Sequence, residues 1–535
     1  MFGMGAMVHK SVWRPHAIAL AAAALACLLH LVCSPALTVM TDELFHLLAA
    51  RSWVHLGTFD IAEGTYQRGK VYTLLVGGLM KLTGSDSLGV ARLPAMAANA
   101  ALAGAFTYWA YHKAGAVAAC SAAFLWIFNE WALRNSAFAR FYTMQALFVW
   151  IGAMFLFRSV ASRSPAVMLA ATIMSLLSFL VALAFQPTTV FLITAVMIWL
   201  VLEAELSGTL RLWRDHKRWL LVLPVIVALA GYFVRPYASG FFQAPQFEAD
   251  RMSAPFYYAR CFLASMPLLT LAFPVAVLLA WRRDARLTRG MLVLLVVPLA
   301  IHSVAARKEE RYILYLAPFF LGIWALAIGI AVQRLQRIPA ILSWRRAGVT
   351  TGALTVAVLA GIMLLDRGYR GTVRLFAIEG IQAARQPARV TREIDDPPWS
   401  ADLAQLRKLA AEYPTLLTAQ DTEAVYRFGR YDYLINRSRI DEIFPAVEFA
   451  KDFRTGRPVL FSPDGVARVI ACHEKGLIVS PDRRWRSAAW IPADTADRIE
   501  RIATRIPSSV PGFHLFTWSN TGPLPPCPAS PAPES

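Results

Sequence analysis

The residues best suited to chemistry lie in TVMTDELFH, residues 38–46. There Asp42 and Glu43 stand side by side directly after AIALAAAALACLLHLVCSPAL, an apolar run with no charged residue. A carboxylate at the rim of a bilayer loses hydration, so it is retained where it is solvated or where it works. Two readings stay open. The pair caps a helix that runs on to Leu56 and is solvated there, or one acid is a general base or metal ligand at the boundary between water and lipid. His46 falls four residues beyond Asp42 on the same helical face and reads as an interfacial or core histidine rather than a ligand.

Cations recur at two later turns. NEWALRNSAFARFYTMQ, residues 129–145, carries Glu130, Arg134, Arg140 and Tyr142 between two apolar runs. HSVAARKEERYILYLAPFF, residues 302–320, carries Arg307, Lys308, Glu309, Glu310, Arg311 and Tyr312. Arginine at such a place needs an anion or open water. A phosphate suits it, because a guanidinium holds two phosphate oxygens in a fork. Snorkelling to lipid headgroups and internal salt bridges are the bland alternatives. The polar, aromatic stretch FDIAEGTYQRGKVY, residues 59–72, adds Tyr66 and Arg68 and can wall a pocket beside the acid pair.

These residues have to be positioned by a membrane protein. Of 535 residues, 57% are hydrophobic and 16% charged, against about 25% charged in an ordinary soluble domain. Apolar runs long enough to span fall near 15–35, 89–111, 114–132, 141–158, 166–184, 187–204, 219–236, 256–280, 290–305, 312–333 and 347–365. The run 70–83 is too short and reads as re-entrant or interfacial. The first run follows Lys10 and Arg14 like a signal peptide, but VCSPAL is a poor cleavage site, so an uncleaved span is expected. Lys and Arg crowd the loops that face inward if the N-terminus is cytoplasmic, and the acids crowd the opposite loops. Residues 1–365 hold 30 basic and 14 acidic side chains, whereas 366–535 hold 23 and 21. Basic excess in short loops speaks for topology and anionic lipid and against nucleic acid.

The expected fold is therefore an α-helical polytopic membrane protein of about eleven transmembrane helices with a small C-terminal α/β extracytoplasmic domain. Residues 1–365 are the membrane domain, with a first outer loop at about 36–88. Residues 366–525 are the soluble domain, and 526–535 a disordered Pro-rich tail. In the soluble part TLLTA, RPVLFS, ARVIACH and GLIVS read as short apolar runs of an α/β domain, and 494–506 as a helix capped by Asp494. Cys27, Cys33, Cys120 and Cys261 read as packing residues. Cys472 and Cys527 can pair if their compartment is oxidising. No Cys/His spacing suggests zinc.

Four segments carry a resemblance: TDELFHLLAARSWVHLG, SLGVARLPAMAANAALAGAFTYWAYHKAG, and more loosely NSAFARFYTMQALFVWIGAMFLF and KEERYILYLAPFF. Together they resemble the GT-C superfamily of integral-membrane glycosyltransferases. The likeness is to the bacterial family-39-like branch of protein O-mannosyltransferases and the aminoarabinose transferase of lipid A. It covers residues 35–160 by sequence and 160–365 by span pattern. The resemblance implies inverting transfer of a sugar from a polyprenyl-phosphate donor to an envelope glycan, glycolipid or protein acceptor at the outer face of the bacterial inner membrane. It makes Asp42 the catalytic acid with Glu43 as neighbour or second acid. Arg140, Lys308 and Arg311 become donor-phosphate ligands, and Glu130, Arg134, Tyr142, Tyr66, Arg68 and Tyr312 line the pocket. No cofactor is required by this reading, though a divalent cation on Asp42 and Glu43 stays open. The alternatives are an oligosaccharide transferase acting on protein, a lipid or glycan transporter, and a non-catalytic scaffold.

Overall fold

The computed structural model describes residues 13–33, 39–66, 68–206, 256–305, 308–336, 351–375, 403–438, 449–452, 454–507 and 512–527. The first apolar run is helix α1, Trp13–Cys33, which packs along α4, Leu88–Ile127. Between them lies the first loop. Helix α2, Thr41–Leu56, ends on Gly57 in the left-handed region (φ 76°), and the β1–β2 hairpin, Asp60–Ile61 with Gly64–Thr65, follows. Helix α3, Lys70–Thr83, covers the run that is too short to span and packs on α2 and α4.

Ala114 and Gly115 leave helical geometry inside α4, so the two apolar runs read from the sequence lie on either side of a break. Helices α5 (Glu130–Ala137), α6 (Tyr142–Ala161), α7 (Pro165–Phe185) and α8 (Thr189–Leu206) come next. The span expected at 219–236 lies outside the described residues. The span expected at 256–280 is three short helices, α9 (Tyr257–Ser265), α10 (Pro267–Leu271) and α11 (Phe273–Trp281). Pro267 and Pro274 sit in the first turns of the second and third. A proline there removes a donor and a preceding helix cannot run through it. Helix α12 (Ala285–Val304), a 3-10 turn (Glu310–Leu316), α13 (Ala317–Leu335), α14 (Thr351–Leu365) and α15 (Arg367–Arg374) complete the helical body. Among the described residues five helices are long and apolar enough to cross a membrane, or up to seven if each bent pair is one span. Helix α15 packs against α5 and α9, so this body extends past residue 365.

The described residues between 403 and 519 include a seven-stranded sheet. Its strands are β3 (Thr415–Thr418), β4 (Tyr433–Ile435), β5 (Phe449–Lys451), β6 (Pro458–Leu460), β7 (Lys475–Pro481), β8 (Thr504–Ile506) and β9 (Phe513–Ser519), in the order β5-β6-β4-β3-β7-β9-β8. The central strands β6-β4-β3-β7 are parallel and both margins antiparallel. Neighbouring residues of β3 feed opposite faces, Leu416 into one apolar cluster and Leu417 into the other, which is why all four residues of TLLT are buried. Helices α16 (Leu403–Glu412), α17 (Thr422–Phe428), α18 (Pro463–Cys472) and α19 (Ala493–Ile502) accompany the sheet.

One open reading is resolved here and one expectation changes. ARVIACH is the end of α18, which Ser462 caps by accepting the Gly465 amide at 3.0 Å. The helix expected at 494–506 stops at Ile502, because Thr504–Ile506 pair with β9 instead. Cys472 and Cys527 form a disulfide, which pins the start of the Pro-rich tail.

Candidate active site

Asp42 and Glu43 sit in the first turn of α2 with different fates. Glu43 is fully buried. Its Oε2 accepts Arg92 Nε at 2.7 Å and the Ala139 amide at 2.8 Å, and its Oε1 accepts Arg92 Nη2 at 2.8 Å and the Met40 amide at 3.1 Å. Both oxygens are filled, so Glu43 is a clamp between α2, α4 and the 138–141 turn. A second-acid role for Glu43, or a cation shared by Asp42 and Glu43, would have to break that pairing. Asp42 keeps 27% of its side chain exposed. Arg311 Nη2 approaches Asp42 Oδ2 at 2.8 Å and Arg140 Nη2 at 3.4 Å, while Arg140 Nη1 donates to the Asp42 carbonyl at 2.9 Å. Burial acts to raise the Asp42 pKa, but Arg140, Arg311 and Arg454 together hold it well below the ordinary carboxylate range.

Aromatic rings carry the two arginines. Arg140 lies 5.6 Å from the Tyr142 ring and Arg311 5.8 Å from Tyr312, and those two rings are 5.9 Å apart. Cation–ring contact of this kind holds a guanidinium in place without consuming its hydrogen-bond donors. The Nε atoms of Arg140 and Arg311 are buried and find no acceptor among the described residues. Below them His46 holds the Thr73 hydroxyl through Nδ1 at 2.9 Å, with its ring edge-on to Tyr66, Tyr72 and Phe141. Burial and the Arg140 charge keep this imidazole well below its usual pKa, hence neutral.

The other candidates separate. Tyr66 stacks on Phe45 at 5.4 Å beside the acid turn, and Arg68 is exposed next to it. Lys308 is buried and donates to the Ala305 carbonyl at 2.6 Å. Glu130 and Arg134 pair with each other at 2.8 Å on the side of α5 that faces α15, where a side chain at Gly371 would run into the Glu130 carboxylate. That pair serves helix packing rather than the Asp42 cluster. Arg307 lies outside the described residues.

Two participants escaped the sequence reading. Arg92 left a signal, since an arginine in an apolar helix has to find an anion. Arg454 left none: it reaches the site from the sheet domain, its guanidinium 5.2 Å from the Phe45 ring.

No protein-family model matches the sequence, and no curated protein matches it. Solved structures do. ArnT from Cupriavidus metallidurans bound to undecaprenyl phosphate aligns with a TM-score of 0.60 at 14% identity, over 95% of this chain and 98% of that one. The chain has the ArnT fold. The apo state of that protein aligns at 0.55 and 14% identity, over 91% and 96%. The archaeal oligosaccharyltransferase AglB from Archaeoglobus fulgidus, in complex with an inhibitory peptide and a dolichol-phosphate, aligns at 0.52 and 12% identity, over 92% and 73%. The polytopic helical membrane architecture expected from the sequence is thus the one observed.

Proposed function

We propose that the chain is a glycosyltransferase that moves a sugar from a polyprenyl-phosphate donor to an envelope glycan, glycolipid or protein acceptor, with inversion. It works at the outer face of the bacterial inner membrane, with the N-terminus cytoplasmic and the sheet domain outside. The observation that carries this is a partly open carboxylate, Asp42, shared by two guanidinium groups at the rim of an ArnT-fold helical body. The disulfide Cys472–Cys527 supports an oxidising compartment for the sheet domain.

The step is a single displacement. Asp42 takes the proton of an acceptor hydroxyl, the hydroxyl oxygen bonds to the anomeric carbon, and the bond to the lipid phosphate breaks with both electrons on the leaving oxygen. Arg140 and Arg311 stabilise that growing charge. A carboxylate gripped by two arginines is a poor proton acceptor. The donor phosphate competes for the same forks, and their unfilled Nε donors point to an incoming anion. As the phosphate draws the arginines, Asp42 regains its proton affinity, so the base becomes effective when donor is bound. No step calls for a metal ion.

The likeness to AglB favours transfer of an oligosaccharide to protein as the second reading. Mass analysis of envelope lipids, glycans and proteins from cells with the wild-type chain and with Asp42→Asn tests both. A sugar increment that vanishes with Asp42→Asn is expected, and the molecule that carries it distinguishes the two. Identical spectra from the two strains would overturn the assignment.

A further inference from the structure

The sheet domain grips α2 on both sides of Asp42. Thr41, the residue before it, donates its hydroxyl to Glu423 Oε1 in α17. Phe45, three residues beyond, lies under Arg454. Glu423 is buried and faces Arg484 at 3.6 Å, and Arg484 donates to the Ala419 carbonyl at 2.6 Å. Arg454 stands 3.8 Å from Asp421. Both gripping side chains are thus anchored in their own domain.

A second contact steadies the first. The Glu63 amide donates to the Thr455 carbonyl at 2.8 Å, and Arg457 meets the Glu63 carboxylate at 3.3 Å. Gly456 (φ 70°) lets the backbones close, since a side chain there would strike Glu63. Met40, which precedes the first turn of α2, has no polar side chain, and the turn is capped from within by Glu43 Oε1, which accepts the Met40 amide at 3.1 Å. The Thr41 hydroxyl and the Phe45 ring, on either side of Asp42, take their contacts from the sheet domain.

We propose that the sheet domain positions the acid: Glu423, through the Thr41 hydroxyl, and Arg454, through the face of Phe45, fix the first turn of α2 so that Asp42 meets Arg140 and Arg311. They are positioning residues, and their role rests on the glycosyl-transfer reading. A shift of about 1 Å at a reacting group costs on the order of 10²-fold in rate, so the loss of one grip has a large effect on turnover and a small one on lipid binding.

The test uses the full-length chain at matched membrane abundance. One readout is the product sugar increment in envelope extracts. The other is the affinity of the purified protein for a C55 polyprenyl monophosphate. Thr41→Val and Glu423→Ala are each expected to lower product about tenfold, and the double variant no further, because the Thr41–Glu423 contact is the one through which both act on Asp42. Thr41→Ser, which keeps the hydroxyl, and Arg454→Lys, which keeps a cation over Phe45, retain most of the wild-type product. Lipid affinity stays equal or tightens, because arginines released from Asp42 have more to give the phosphate.

Three results would overturn the proposal: wild-type product from Thr41→Val and Glu423→Ala, additive losses in the double variant, or a fall in lipid affinity by the same factor as product, which marks a general folding defect. Failure of the transfer reading is separate. It shows as product persisting in Asp42→Asn, whereas loss in Asp42→Asn with normal Thr41→Val sinks only the positioning role.

Discussion

Two clusters pair one acid with two arginines, near opposite ends of the helix Ala285–Val304. At its start Glu203 meets Arg289 at 2.5 Å and Arg286 at 3.1 Å, and it also accepts the Trp199 indole at 3.2 Å. Beyond its end Asp42 meets Arg311 and Arg140. The inventories match, but the accessibility differs. Glu203 is 7% exposed, its oxygens are filled, and its arginines come from neighbouring turns of one helix. Asp42 is 27% exposed, its arginines come from separate elements, and both Nε atoms lack an acceptor among the described residues. A saturated triad holds helices together. A triad with spare donors and an opening can accept an anion from outside. Charge count alone does not separate them; donor saturation does.

That contrast can be broken by mutation. The largest effect expected is from Asp42→Asn, which should lower sugar transfer by about 10²–10⁴-fold, far more than the loss of its arginine pairs lowers the melting temperature. Glu203→Gln should do the reverse, leaving transfer within about threefold while the thermal midpoint of the detergent-solubilised protein falls. Equal activity losses in the two would erase the distinction.

Next come the arginines. Arg140→Ala or Arg311→Ala removes a preorganised charge worth about 2–4 kcal/mol, or roughly 10²–10³ in rate. Arg286→Ala, half exposed on the Glu203 side, should change the rate less than about twofold. Steady-state transfer assays on the four proteins decide this.

A third test uses Glu43. Glu43→Gln leaves Arg92 buried with a neutral partner. Breaking a buried pair costs about 3–5 kcal/mol, so reduced folded yield and a lower melting midpoint should outweigh any change in substrate affinity. A Glu43→Gln protein as stable as wild type would contradict the clamp.

The smallest effect is on pH dependence. The folded Asp42 pKa is depressed, so the stabilisation it contributes is full above about pH 4, its unfolded value, and fades only as pH falls toward the folded value. Between pH 8 and 5 Asp42 of the donor-free protein stays ionised, so the pH profile of kcat/KM, which reports the free enzyme, should show no acid limb from it. Arg311→Gln should move that limb upward into reach, as a titration of transfer rate would record.

Much of this was legible in the chain. Apolar runs near residues 15–35, 141–158 and 166–184 became helices with nearly those bounds, because such a segment in lipid must satisfy its backbone internally. The run 256–280 fragmented at two prolines that were visible but masked by its hydropathy. ARVIACH reads only as a short apolar run because such a run fits strand or helix alike; Ser462, which caps the helix, and Pro463 were the available signals. Thr504–Ile506 turned to strand because pairing with β9 overrode the helical pattern. In the site, Asp42, Arg140 and Arg311 were readable as ions against the hydropathy trend. Glu130 and Arg134 had the same appearance and a packing role.

By itself the sequence determined a helical membrane body, a sheet domain after it, and a short set of charged residues too costly to bury without partners. Only the tertiary structure decided which partner each one has. Glu43 pairs with a residue 49 positions away, Asp42 with one 98 away, and Thr41 with one 382 away. Local patterns encode helices and strands because those depend on near neighbours. Whether an acid is saturated or left open depends on distances between remote segments, and these exist only once the chain has packed.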